Sequence, residues 1–324
     1  MSAAQKARGK GSHWTIARHV VQVAMLLLFA SPVLAAGWSL LGLGTSPEDA
    51  VSTPAELPFF GTLSSTSIAG LTLMDPFATL EIAAASKSFE LDWLLAALPI
   101  LIVYGLVRGR AFCGWVCPVN LLLELVDALR KKIGIQVRET PLPRRTKIVM
   151  AAVVLLLSAL TSVPVFETFS PVSAVNKGIV LGSTAGLWTL LAIVVAELFW
   201  GHRVWCRSLC PLGGFYEAIG RAGQLNVRID HEACIHCSSC KKACICDPSI
   251  LDPALSGDDV IVRAGDCMVC GKCIDACPTR ALSYTVGRRR KPSAKTAATQ
   301  PPAKPTSASK AVPEETTPDV APGT

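Results

Sequence analysis

CIHCSSCKKAC at residues 234–244 and CMVCGKCIDACP at residues 267–278 decide how this chain is read. Cys234, Cys237, Cys240 and Cys244 follow an x2-x2-x3 spacing, and Cys267, Cys270, Cys273 and Cys277 repeat it with Pro278 after the last. Three close cysteines wrap one corner of an iron–sulfur cubane, and the fourth ligand comes from the opposite run. That is the bacterial two-cluster ferredoxin spacing. It assigns Cys234, Cys237, Cys240 and Cys277 to one [4Fe–4S] cluster, and Cys267, Cys270, Cys273 and Cys244 to the other. Zinc also favours Cys-x2-Cys pairs, but two complete copies of the three-plus-one spacing exceed what a zinc site needs. The first run departs from the pattern in one respect. Ile245-Cys246 follows Cys244 where a proline would stand, so Cys246 is a spare thiol, and the x3 spacing favours Cys244 as the ligand. The 22 residues between Cys244 and Cys267 make a longer insertion than a minimal ferredoxin needs.

Upstream lie two more cysteine pairs, FCGWVCPV at 112–119 and WCRSLCPL at 205–212, 93 residues apart. Asp75-Pro76 and Ser170-Pro171 stand at a similar offset. Each half reads as helix, outer loop with a proline, helix, then Cys-x3-Cys-Pro, an internal repeat. On a helix, residues i and i+4 face the same way about 5–6 Å apart. Arg108, Arg110, Arg203 and Arg207 are close in sequence and would favour thiolates. Cys113, Cys117, Cys206 and Cys210 are therefore candidates for a redox or metal site. The plainer reading is that Cys-Pro punctuates the helix exit in each copy.

The rest of the chain is apolar. Of 324 residues, 51% are hydrophobic and only 17% charged, with a mean hydropathy of +0.44, which is a membrane composition. Four runs approach the roughly 20 residues that span a bilayer: Val20–Leu41, Leu91–Val107, Ile148–Phe166 and Ile179–Trp200. Lys6, Arg8, Lys10 and Arg18 precede the first, and nine Lys or Arg residues lie between the second and third. Segment 42–90 holds only Lys87, and 167–178 only Lys177. By the positive-inside rule both termini are cytoplasmic, so the cysteines read as reduced ligands. Leu34-Ala35-Ala36 resembles a signal cleavage site, but the repeat makes the first helix the counterpart of the third and argues that it is kept. The expected layout is a cytoplasmic segment 1–19, then at 20–223 an all-α membrane bundle of four transmembrane helices in two parallel two-helix repeats. A cytoplasmic α+β two-cluster ferredoxin domain follows at 224–287, then a disordered tail at 288–324.

Other features carry weaker signals. Val119–Ile133 places Leu122, Leu125, Val126 and Leu129 at helical spacing, as in a helix lying in the inner interface. Glu197, ionisable within the fourth run, is a candidate proton acceptor for a quinol, about 13 Å of helix rise from Cys206. The alternative is that it pairs with a neighbouring helix. His19 and His202 lie near the inner face, and no Cys-x-x-Cys-His is present, so haem is not expected. No phosphate loop or dinucleotide fingerprint occurs, and no nucleic-acid partner is expected.

Two Cys-x3-Cys-Pro motifs, four apolar runs and a C-terminal two-cluster ferredoxin resemble the NapH/MauN-type ferredoxin membrane proteins, from about Trp14 to Leu282. LMDPFATLE at 73–81, FCGWVCPVN at 112–120, FSPVSAVNKGIVLGS at 169–183, WCRSLCPLGGFYEAIG at 205–220 and ILDPAL at 250–255 side with the NapH branch. That branch is the quinol dehydrogenase membrane component of periplasmic nitrate reductase. The resemblance implies a bacterial inner-membrane protein that oxidises menaquinol or ubiquinol, a component rather than a stand-alone enzyme. The implied partners are a periplasmic ferredoxin-type subunit, a membrane-tethered multihaem cytochrome and the nitrate reductase. The alternative is a MauN-like or copper-oxidase-type maturation factor that uses its clusters to assemble another redox enzyme. In the nitrate reading the clusters lie inside and the reduction outside, so electrons either recross the membrane or feed a cytoplasmic process.

Overall fold

The computed structural model describes residues 13–35, 59–68, 70–135, 142–143, 145–175, 186–263 and 265–287. The tail expected from 288 onward and the segment 1–12 lie outside them. Helix α1, His13–Ala35, begins before the apolar run expected from Val20. The cause is a carboxylate from the far end of the chain. Asp275 accepts from Trp14 N at 3.3 Å, Thr15 N at 2.9 Å and the Thr15 hydroxyl at 2.8 Å. Free amides at a helix N-terminus and the positive end of its dipole both favour such an anion. The end expected at Leu41 lies outside the described residues.

Segment 42–90, read as an outer loop, contains ordered structure. Strands β1 (Phe59–Gly61), β2 (Ser65–Ile68) and β3 (Leu71–Met74) form an antiparallel sheet in that order. Helix α2 (Pro76–Ser86) follows, capped by Asp75, which accepts from Phe77 N and Ala78 N at 3.0 Å each. This segment folds back on the bundle: the Phe77 ring lies 5.5 Å from that of Phe215 and 5.7 Å from that of Phe166.

Helix α3 (Leu91–Val107) has the bounds of the second apolar run. Short helix α4 (Ala111–Trp115) and α5 (Pro118–Ile133) follow. Helix α6 (Thr146–Thr161) holds most of the third run. It stops because Ser162 turns left-handed, at φ 56°, with Pro164 just beyond, before α7 (Val165–Phe169). Helix α8 (Leu187–Phe199) holds the fourth run, whose expected beginning at 179–185 is outside the described residues. A π-helical turn, Trp205–Leu209, leads into α9 (Pro211–Gly220). Helix α6 packs on α2 and α9, and α8 on α5. A Cβ on Gly214 would stand 2.3 Å from the Lys147 carbonyl oxygen, so α9 meets α6 at backbone distance.

Among the described residues only α1, over His13–Ser31, is long and apolar enough by itself to cross a membrane. Leu91–Val107, Thr146–Thr161 and Trp188–Phe199 are apolar but shorter. Their outer faces are bare: Leu106, Leu156, Leu160 and Phe199 are all strongly exposed. Helix α5 buries Val119, Leu123 and Val126 and exposes Leu125, Leu129 and Ile133.

The cysteine-rich segment is α+β. Strands β4 (Leu225–Ile229) and β5 (Leu282–Val286) pair antiparallel. Around them are α10 (Ser239–Ala243), a 3-10 turn (Pro248–Leu251), α11 (Asp252–Leu255) and α12 (Lys272–Asp275). The long insertion extends the sheet: Ile229 N donates to Val260 O, and Val262 N to Val227 O, each at 2.9 Å.

This segment and the helices pack together closely. Trp115 Nε1 donates to Val269 O at 2.9 Å. Glu124 on α5 meets Arg18 of α1, His19 at 3.1 Å and Lys272 of α12 at 3.5 Å. Burial alone would raise the Glu124 carboxyl, but Arg18 and Lys272 hold it down at about 2. A Cβ on Gly114 would stand 2.7 Å from Met268 O. Gly114→Ala is expected to cost about 1–3 kcal/mol through overpacking, read as a lower thermal-unfolding midpoint of the detergent-solubilised chain. An unchanged midpoint would show that this approach is not tight.

Candidate iron–sulfur centres

Two cavities lie in the cysteine-rich segment. One is lined by Cys234, Cys237, Cys240 and Cys277, with Ile229, Leu255 and Leu282. The other is lined by Cys244, Cys267, Cys270 and Cys273, with Cys246, Val227, Ile250 and Leu251. Cys277 lines the first cavity beside the cysteines of 234–240, and Cys244 lines the second beside those of 267–273. The loops curl through left-handed backbone at His236 (φ 51°), Ser238 (φ 58°), Val269 (φ 51°) and Gly271 (φ 75°). Such non-glycine residues cost about 1–3 kcal/mol each and persist where surrounding structure dictates them.

An all-sulfur donor set in an apolar wall suits iron–sulfur chemistry. Among the described residues, which include all thirteen cysteines, no three His, Cys, Asp or Glu side chains group tightly enough for a single ion. The spare thiol Cys246 is engaged otherwise: its Sγ donates to Asp266 O at 3.0 Å, and Arg110 Nη1 donates to it at 3.1 Å. The Cys244 Sγ reaches only Asp247 O, at 3.4 Å.

The paired cysteines differ from the sequence expectation in two ways. They do not share a continuous helix. Cys113 lies in α4 and Cys206 in the π-helical turn, whereas Cys117 (φ −63°, ψ 119°) and Cys210 (φ −69°, ψ 113°) are extended. A residue before proline is pushed to extended backbone, and the proline then starts a new helix. Nor do the arginines make them thiolates. Burial pushes all four thiols up, Cys210 to about 12, and outweighs Arg110 beside Cys113 and Arg203 beside Cys206. Arg108 is turned away to Leu225 O, at 2.8 Å, and Asn226, and Arg207 to Asp247 at 3.0 Å.

The four cysteines nevertheless belong to one core, and charge on one of these thiols would be felt by the others: Cys113 and Cys210 act on Cys117, Cys210 and Cys117 on Cys206, and Cys113 on Cys210. They share one core with residue pairs from equivalent positions of the two halves: Phe77 with Val172, Val119 with Leu212, and Leu123 with Tyr216. Asp75, buried below Tyr216, accepts its hydroxyl at 2.5 Å, and burial pushes the carboxyl up to about 6.

Comparison with known proteins follows this division. A family model described as a 4Fe-4S binding domain matches residues 89–136 and again 183–230, and a second of the same description matches 260–283. The methylamine utilization ferredoxin-type protein MauN of Paracoccus denitrificans (strain Pd 1222) is 33% identical over 268 residues, 82% of this chain and 88% of its own. MauN of Methylorubrum extorquens is 33% identical over 85% of this chain and 90% of its own. The ferredoxin-type protein NapH of Escherichia coli (strain K12) is 32% identical over 66% of this chain and 75% of its own. This chain belongs to the NapH/MauN ferredoxin-type family. No solved structure matches it.

As a NapH/MauN ferredoxin-type protein the chain carries 4Fe–4S binding domains and serves electron transfer. Two residues singled out in the sequence have partners that spacing did not indicate. Arg110 is buried and donates to Cys246, to Asp266 O at 2.8 Å and to Cys206 O at 3.0 Å. Glu197 is also buried, but α8 ends at Phe199 and the chain turns back, so no long helix separates it from Cys206. Its carboxylate accepts from Arg203 N at 2.6 Å and Trp205 N at 3.2 Å. That is the geometry of a cap on the second cysteine turn. Glu197→Ala should destabilise the chain by about 1–3 kcal/mol, the cost of stranding buried donors, while Glu197→Gln, which keeps one of the two acceptor oxygens, should cost less and preserve electron transfer in the folded protein. Loss of electron transfer in a stable Glu197→Gln protein would restore the proton-acceptor role.

Proposed function

We propose that this family member is a four-span bacterial inner-membrane protein, both termini cytoplasmic, that oxidises a quinol and passes the electrons through two [4Fe–4S] clusters. The observation that carries the reading is the pair of cysteine-lined cavities, the second of which packs directly against the short helix that follows the apolar α3. Cys234, Cys237, Cys240 and Cys277 hold one cluster; Cys267, Cys270, Cys273 and Cys244 hold the other. Such clusters take electrons singly, so the two electrons and two protons of a quinol leave in separate steps. The bare faces of α1, α3, α6 and α8 are what lipid covers, and the basic loops set the orientation.

A cleft of about 850 Å³ supports the quinol assignment, a size usual for small-molecule sites. Leu101, Ile102, Gly105 and Leu106 of α3 form its apolar side, with Ile219 of α9, and Gln224 brings an amide to the other, where Asn226 is held by Arg108, Gln224 O and Gly287 O. An aromatic head with two hydroxyls and an apolar tail fits such a wall. Arg108 fixes Asn226 from behind and extends its charge toward Cys267 of the second cavity.

The destination of the electrons follows from kinship. In the NapH reading they pass to a periplasmic ferredoxin-type subunit, a multihaem cytochrome and nitrate reductase. A second reading, in which the clusters serve maturation of another redox enzyme, is favoured by the longer match to MauN, over 82–85% of the chain against 66% for NapH.

In anaerobic membranes containing the full chain, Gln224→Leu should raise the KM for a short-chain quinol about tenfold, equivalent to one lost hydrogen bond of about 1.4 kcal/mol, with iron content unchanged. No quinol oxidation by the wild type with an artificial one-electron acceptor would refute the activity. Cys244→Ser should remove about four irons and Cys246→Ser none; the reverse would transfer the ligand role to Cys246.

A further inference from the structure

The ferredoxin assignment uses eight cysteines and leaves Cys113, Cys117, Cys206 and Cys210 without a role. Each segment matched as a 4Fe-4S binding domain in the helical part, 89–136 and 183–230, contains only two cysteines. A cluster held by cysteines takes four. Two half-sets brought face to face make one full set, and the fold brings them face to face. The sulfurs of both repeats stand in one core, flanked by equivalent residues of the two halves.

The surroundings suit a negatively charged group ligated by thiolates. Cys117 and Cys210 stand at the N-cap positions of α5 and α9, and the Cys210 sulfur accepts from Gly213 N at 3.4 Å. Both helix N-termini therefore point their positive ends at the site. Three fully buried cations ring it: Arg110 beside Cys113, Lys147 also facing Cys113, and Arg203 facing Cys206. Their other partners are Asp266 and Glu217 for Lys147, and Asp127 for Arg203. The site also adjoins the second ferredoxin cavity. Cys113 and Cys206 pack against the core that contains Cys246, Cys270 and Cys273, and Arg110 contacts both sides.

We propose that Cys113, Cys117, Cys206 and Cys210 together bind a third iron–sulfur cluster, shared between the two repeats at their seam with the ferredoxin module. This does not depend on the identity of the electron donor. Full-length protein, labelled with 57Fe and purified anaerobically, should contain about 10–12 irons per chain with matching acid-labile sulfide, above the roughly eight of two cubanes. The Cys113→Ser/Cys210→Ser double variant should lose that excess, about two to four irons, and keep the reduced-state EPR spectrum of the ferredoxin clusters. About eight irons in the wild type would overturn the proposal, whether or not the variant folds. So would equal iron in both proteins, or stoichiometric copper or zinc that the double variant loses.

Discussion

The guanidinium of Arg110 holds this molecule together. It leaves the end of α3 in the first repeat and donates to a backbone carbonyl of the second repeat at Cys206. It also donates to the ferredoxin module at Asp266 O and Cys246 Sγ. Removing such a charge from water costs several kcal/mol, which only good acceptors and nearby anions return. An arrangement in which the helices and the cysteine-rich segment separate would strand it. The same logic recurs at Lys147, held by Glu217 at 2.5 Å and by Asp266 at 3.2 Å, and at Glu124, which gathers Arg18, His19 and Lys272. Charges buried at this seam fix the distance between the helix ends and the cluster cavities. An electron carrier needs that fixed distance more than it needs net stability.

Much of the candidate site was legible because ligand spacing is a local, covalent constraint. Three cysteines at x2 intervals stay close together whatever the rest of the chain does, and Cys234, Cys237 and Cys240 line one cavity while Cys267, Cys270 and Cys273 line the other. The bounds of α3 were equally legible, since Glu90 and Arg108 frame a run whose one charge, Asp92, sits in its first turn. Kinship was legible in the doubled Cys-x3-Cys-Pro. Other features depend on contacts between distant residues. Residues 59–86 carry few charges and short strands, so counting Lys and Arg reduced them to a loop. The start of α1 depends on Asp275, about 260 residues away.

The cysteine pairs show a subtler limit. Sequence proximity to arginine suggested thiolates, but proximity along the chain says nothing about burial, and burial decides the matter here. Pro118 and Pro211, visible from the start, were also the reason each pair straddles a break rather than sharing one helix face. That break puts the second cysteine of each pair at a helix N-terminus and lets the two repeats present their sulfurs to each other. Glu197 gave a similar lesson. A carboxylate within an apolar run is a functional signal by default; here the chain folds back on it, and its oxygens accept from the amides of Arg203 and Trp205.

The central claim is that the helical repeats and the ferredoxin module form one electron-transfer unit fed from the membrane. Freeze-quench EPR of the full chain in lipid nanodiscs, mixed anaerobically with excess reduced quinol, tests it most directly. The account predicts that reduced [4Fe–4S] signals grow in with quinol alone. Clusters that stay oxidised with quinol at every concentration, yet reduce fully with dithionite, would contradict it.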